Sequence, residues 1–367
     1  SFVVVSAVAG VTDLLEEFCR APVGQKSQFT AMIREKHESI AKELGIDVAI
    51  EPFLGPLKQF EGAGHLQQED QAKILAIGED LSASLICSYC RANSLQLEQL
   101  EARQVILTDS QFLRAEPDLA LMQTMWGELV LKENTIYLMQ GFLGATASGA
   151  TTVLGRGGSD FSASLVGELC EARELRIYTD VRGVHTADPK ILKDTQLIDF
   201  LTFEEMQELA SSGSKVLHQD MLKPCIRAKV PIFVTSTFDL TKEGTWICAS
   251  LNEGVEGPEI KALSLKANQA LWFVEYHSPL MRLENVLRCV RGLGSIPGVV
   301  MAQNSGVYFT VDWEENNQSM TEALREFGAV SCEGPVSLVA LVGAKFTSWS
   351  MTGVFDALQG TPVLYWS

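Results

Sequence analysis

The sequence predicts an α/β protein, with a mostly parallel sheet flanked by helices followed by smaller α+β modules. Three observations carry this. Up to about residue 250, short apolar strands alternate with patterns of helical period, the signature of strands joined by crossover helices. A β-branched run at 151–154 enters a loop with glycines at 155, 157 and 158, and an apolar helical repeat follows at Phe161, Leu165, Val166 and Leu169. Residues 251–259 are polar and glycine-rich, and the spacing of strands and helices changes beyond them.

The first part, 1–250, begins with a strand at 2–6 and a helix from about Thr12. A second helix is expected at 69–93, then strands at 105–107, 135–140 and 176–180. Thr202 and Glu205 have capping-box spacing and open a helix with Phe203, Met206, Leu209 and Ala210 on its apolar face. A buried strand follows at 230–236. After the 251–259 linker, the region 260–367 reads as strand 271–276, helix 283–290, strands 298–303 and 307–312, helix 320–327, strand 336–342, helix 351–358 and strand 362–366.

Composition narrows the function. The 367 residues suggest two or three domains at about 150 residues each. A net charge of −17 argues against nucleic acid and anionic membranes as partners, which require a concentrated positive face. No apolar run approaches the ~18 residues of a membrane span. The eight cysteines include one CxxC pair, Cys87 and Cys90, with no second pair or nearby histidine. They read as core thiols in a reduced, cytoplasmic compartment.

The glycine loop is chemically specific. Its glycines let backbone N–H groups approach a ligand, the helix start adds partial positive charge, and Arg156 offers a two-pronged fork for a carboxylate or phosphate. Asp160 would repel an anion, which makes sense if it meets an ammonium or metal or orients neighbouring donors. Taken alone, the loop equally reads as a turn capped by Ser159 or Asp160.

The motif GRGGSDFSAS at 155–164, preceded by Gly141, Phe142 and Gly144, resembles the aspartate-binding loop of aspartokinases, members of the amino acid kinase family. Four more segments match in order: VVVSAVAGVTDLL at 3–15, IGEDLSASL at 77–85, YTDVRGVHTADPK at 178–190 and EEMQELASSGSKVLH at 204–218. The resemblance implies an amino acid kinase fold followed by tandem ferredoxin-like ACT modules. It also implies transfer of the γ-phosphoryl of ATP, with Mg2+, to L-aspartate, giving 4-phospho-L-aspartate. That is the first step toward lysine, diaminopimelate, methionine and threonine. Feedback by an amino acid, lysine first among candidates, and a homodimer through the ACT strands would follow.

Residue by residue, the resemblance puts substrate contacts at Ser6, Thr12, Glu79, Arg156, Gly157, Gly158 and Ser159. Catalytic groups would be Arg156, Asp160 and Lys215, and nucleotide contacts Thr179, Asp180, His185, Lys190, Lys215 and Val216, with no protein metal ligand. Local readings stand beside these. Glu79 reads as a first-turn acid, Thr12 as a helix N-cap, Asp180 as the opening of a turn at Gly183, and Lys215 as solvated surface. The chain departs from the family with His185 for tyrosine, Lys190 for arginine and Gln219 for proline, and segment 277–287 lacks the glycine-phenylalanine-leucine of lysine-sensing relatives. Family members also carry an earlier strand with a phosphate-binding lysine loop, and a second ACT module needs strands beyond Ser367, so the resemblance implies that both ends are cut. The competing readings are a kinase for glutamate, a carbamate or a nucleotide, and a catalytically inactive ACT-based sensor or regulatory subunit.

Overall fold

The computed structural model describes residues 1–214, 216–239, 243–249, 260–278, 283–314, 317–343 and 348–363. The chain divides into two compact units, Ser1–Leu175 with Asp220–Ile232, and Arg176–Gln219 with Phe233–Ser367.

The first unit runs β1 (Phe2–Val5), α1 (Val11–Arg20), α2 (Lys26–Leu44), α3 (Glu51–Phe60), α4 (Gln68–Ala92), β2 (Glu98–Leu100) and α5 (Ala102–Val105). It continues through β3 (Leu107–Thr108), α6 (Leu119–Glu128), β4 (Tyr137–Gln140), β5 (Leu143–Thr146), β6 (Thr151–Val153) and α7 (Gly158–Leu169). The strands β1, β4 and β2 form a parallel sheet with β4 central. In a second sheet β5 lies parallel to β3 and antiparallel to β6. Helices α4 and α7 both pack on β1. In α1 the buried residues Val11, Leu15 and Phe18 recur at helical spacing and enter a core with Ile33, Leu54, Ile74 and Met122.

The second unit contains β7 (Leu175–Thr179), β8 (Phe200–Thr202) and α8 (Phe203–Ser211), after which α9 (Gln219–Ala228) returns largely to the first unit. There Arg227 on α9 makes a two-pronged pair with Glu168 on α7, at 2.8 and 2.6 Å. β9 (Ile232–Ser236) and β10 (Thr245–Cys248) complete a sheet in the order β7-β9-β10-β8. The chain then forms β11 (Ala262–Tyr276), α10 (Leu283–Gly292), β12 (Val300–Gln303), β13 (Gly306–Asp312), α11 (Gln318–Leu324), β14 (Gly328–Val342) and α12 (Ser348–Ala357). The order β12-β13-β11-β14, all antiparallel, is the ferredoxin-like arrangement of a βαββαβ unit. Trp272, Val274 and Phe309 on its strands pack with Val286, Val290 and Leu324 on its helices.

Most expected elements are found within a few residues, and the differences have physical causes. The expected strand at 105–107 gives way to the short helix α5, because the Glu101 side chain caps the Arg103 N–H, and only Leu107–Thr108 stays extended. The helices α2, α3, α6 and α9 were not anticipated; charged residues interrupt the period of α2, and prolines lie within α3 and α9. The capping box at Thr202 and Glu205 is present, with N–H to side-chain distances of 3.1 and 2.8 Å. The 251–259 linker, and most of the strand expected at 362–366, lie outside the described residues. No described helix is long and apolar enough to cross a membrane.

Candidate active site

In the first unit the candidate residues sit where strands end. β1 leads to exposed Ser6 and a turn that closes at Gly10, whose left-handed backbone (φ 75°) makes it the N-cap of α1 without any side-chain bond. Thr12 is therefore inside the first helical turn and not the cap.

Glu79 lies in the middle of α4, not in its first turn, so helix-dipole stabilisation does not explain it. Its neighbour Gly78 explains how it meets the β1–α1 turn. A Cβ at Gly78 would stand 2.8 Å from the Ala7 Cβ, so only glycine lets helix and turn come this close. Glu79 is 3% exposed, and its Oε2 has no hydrogen-bond partner. Burial pushes its carboxyl up to about 8, opposed by the Ala7 N–H and reinforced by Asp80. A buried carboxylate with a free oxygen is suited to receive a cation.

The glycine loop turns through Gly155 (φ 80°) and Gly157 (φ 70°), the latter forming the N-cap of α7. Neither Ser159 nor Asp160 caps the helix. A Cβ at Gly158 would lie 2.5 Å from the Phe142 ring, and one at Gly141 would lie 2.7 Å from the Ser159 Cβ. The N-terminus of α7 is thus seated on the β4–β5 turn. The Phe142 N–H donates to the Ser162 Oγ at 3.0 Å, and that hydroxyl donates to the Gly158 carbonyl at 2.9 Å. Arg156 is exposed and makes no hydrogen bond or ion pair with any described residue. Asp160 is half-buried, and burial pushes its carboxyl up to about 6.

The second unit carries the other set. Thr179 ends β7 and its hydroxyl donates to the Asp180 Oδ1 at 3.2 Å, leaving Asp180 exposed. Half-buried His185 meets the Thr195 hydroxyl at 3.2 Å, and burial with the nearby Arg182 charge lowers its pKa, which favours the neutral imidazole. Lys190 is exposed, its backbone N–H bound to the Asp188 Oδ1 at 2.8 Å. Val216 is half-buried. Lys215 lies outside the described residues.

One group went unread in the sequence. Arg103 on α5 bonds to Asp80, Glu101 and Thr151, and Gln140 closes the network. Its members are spread over four segments with no shared periodicity, so only the folded chain assembles them. Among the described residues no three His, Cys, Asp or Glu side chains form a metal-holding group.

The sequence model of the amino acid kinase family matches residues 1–236. An aspartokinase of Chlamydia trachomatis is 77% identical over 367 residues, covering all of this chain and 85% of that protein. The lysine-sensitive aspartokinase 3 of Escherichia coli is 30% identical over 391 residues, covering 97% of this chain and 84% of the relative. The crystal structure of E. coli aspartokinase III with aspartate and ADP, in its R-state, superposes with a TM-score of 0.87 at 28% identity, covering 99% of this chain and 86% of that one. The T-state structure with lysine and aspartate gives 0.75 at the same identity, covering 99% and 85%.

Proposed function

The chain belongs to the amino acid kinase family, and from that premise we propose that it transfers the γ-phosphoryl of ATP to the side-chain carboxylate of L-aspartate, giving ADP and 4-phospho-L-aspartate. The observation that carries this reading is 77% identity to an aspartokinase across the whole chain. No observation favours an inactive sensor.

The acceptor carboxylate is already a nucleophile at neutral pH, so no strong general base is required. The protein has to bring two anions together and offset charge on the phosphoryl oxygens. Arg156, free of partners among the described residues, takes the substrate α-carboxylate in a two-pronged pair, assisted by Ser159 and the N–H groups at Gly157 and Gly158. Glu79 receives the substrate ammonium, and Asp160 orders the reacting groups. Thr12, whose hydroxyl no cap consumes, and Ser6 line the same turn. Thr179, Asp180, His185, Lys190 and Val216 hold the nucleotide, and Lys215 reaches its phosphates. Mg2+ held on the ATP phosphates would supply charge shielding there, with no metal ligand assigned to this chain. Lysine as effector, a homodimer through the ACT-type strands, a cytoplasmic setting consistent with eight free cysteines, and a kinase domain ending near residue 250 complete the proposal.

The test is ADP release by the full-length protein with aspartate or glutamate as acceptor, and trapping of the acyl phosphate by hydroxylamine. Aspartate-dependent ADP and hydroxamate are expected. Glutamate outperforming aspartate would overturn the reading. Arg156→Ala should raise the aspartate KM by an amount equivalent to about 2–4 kcal/mol, the scale of losing a charge-assisted fork.

A further inference from the structure

The Arg103 network ties together α4, which carries Glu79, the end of β4, and β6, which feeds the Gly155–Asp160 loop. The guanidinium donates from Nη1 to Asp80 Oδ1 at 3.1 Å and from Nη2 to Asp80 Oδ2 at 2.8 Å. Its Nη1 also reaches Glu101 Oε1 at 2.8 Å, and Nε donates to the Thr151 hydroxyl at 3.0 Å. Gln140 gives its amide to Asp80 at 3.0 Å and to Glu101 at 3.1 Å, while its carbonyl accepts the Ala102 N–H at 3.2 Å.

The positions of these partners matter more than their number. Asp80 follows Glu79 on α4. Gln140 precedes Gly141, on which Ser159 is seated. Thr151 opens β6, the strand that feeds the Gly155–Asp160 loop. One planar cation therefore holds a helix, a strand end and a second strand, and a lysine could not match its fork. The side-chain contacts are partly buried, with Arg103 23% and Asp80 16% exposed, so solvent does not dissolve the pair.

We propose that Arg103 is a positioning residue for the phosphoryl acceptor. Through Asp80, Glu101, Gln140 and Thr151 it fixes the register of α4, the β4–β5 turn and β6, and so sets where Glu79 and the Arg156 loop stand. The proposal rests on the reading that those groups hold aspartate. Asp80, Glu101, Arg103 and Gln140 also line a cavity of about 620 Å3, together with Asp47 and Phe53. Truncating Arg103 thus enlarges an existing space and does not open a void in the sealed core.

The test is steady-state kinetics of the full-length protein with Arg103→Ala, Arg103→Lys and Asp80→Asn. Arg103→Ala should raise the aspartate KM tenfold or more, within the ~100-fold that a misplacement of about 1 Å can cost. The ATP KM should stay within about twofold, because no network member belongs to the nucleotide set. Arg103→Lys, which keeps the charge but not the fork, should fall between parent and Arg103→Ala. Equal rises in both KM values, or a lower kcat with both KM values unchanged, would mean general loss of structure and overturn the proposal. Unchanged kinetics would overturn it too. If Arg103→Ala does not fold, the same split is read in the other two variants. A parent that fails to phosphorylate aspartate removes the functional reading and this proposal with it, whereas an active parent with unaltered variants removes this proposal alone.

Discussion

At the scale of single residues, Glu79, proposed above to meet the substrate ammonium, stands in an unusual environment. Its carboxyl titrates near 4.5 when unfolded and is pushed up to about 8 by burial when folded. The folded chain therefore binds one more proton across that window, and raising the pH through it removes stability. Glu79→Gln should cancel the effect, so the Tm of the variant relative to the parent should climb between about pH 5 and pH 8, and thermal melts along that range check it. A constant offset would contradict the assignment. On the proposed substrate role, an ammonium beside the carboxylate would favour its ionised form, and aspartate binding would be coupled to proton release. The motif pointed to Glu79, but its burial was not legible. The helix expected at 69–93 already puts residue 79 in mid-helix, but which face of α4 meets the β1–α1 turn is decided by tertiary packing at Gly78 and Ala7.

At the scale of elements, close approaches decide where helices sit. The N-terminus of α7 rests on the β4–β5 turn because Gly158 has no side chain, and Gly158→Ala would put a methyl group 2.5 Å from the Phe142 ring. A cost of about 1–3 kcal/mol in chemical denaturation is expected, the range for overpacking. Gly127 in α6 is the natural control, since nothing stands within 4 Å of the Cβ it would gain. Gly127→Ala should be neutral or stabilising by up to about 1 kcal/mol. Elements with strong local signals were legible, such as the α8 capping box and the long apolar stretch of α4. The helices α2 and α9 were not. Buried Lys26 and His37 interrupt the apolar face of α2, and Pro224 sits inside α9, so tertiary packing outweighs the local pattern.

At the scale of the whole molecule, the sequence change near residue 250 does not mark where the compact units divide, because the second unit holds Arg176–Gln219 as well as the ferredoxin-like module. Chain order hides this, since α9 and the start of β9 return to the first unit. What joins the second unit internally is β11 and the residue before it. Lys261 Nζ stands 2.8 Å from both oxygens of Glu205, and both side chains are buried. The Ser264 hydroxyl donates to the Ser212 carbonyl at 3.1 Å, and the Leu263 N–H to the Thr186 carbonyl at 2.8 Å. Lys261→Met leaves a buried carboxylate without its cation and should cost about 3–5 kcal/mol. Adding Glu205→Gln should recover part of that loss, and urea unfolding of both variants would show it.

The strand β11 has one further property. Its register against β14 slips between Lys266 and Gln269 and again between Gln269 and Leu271, around Asn268 at φ 55°. The first half pairs with β14 beside α8, whereas the second half builds the ferredoxin-like core. A single fifteen-residue rod thus has a joint in the middle, with no loop between its arms to take up slack. Ala267 and Asn268 therefore interrupt the ladder where β11 passes from the arm beside α8 to the arm in the ferredoxin-like core, and β14, which pairs with both arms, is the element that spans the joint.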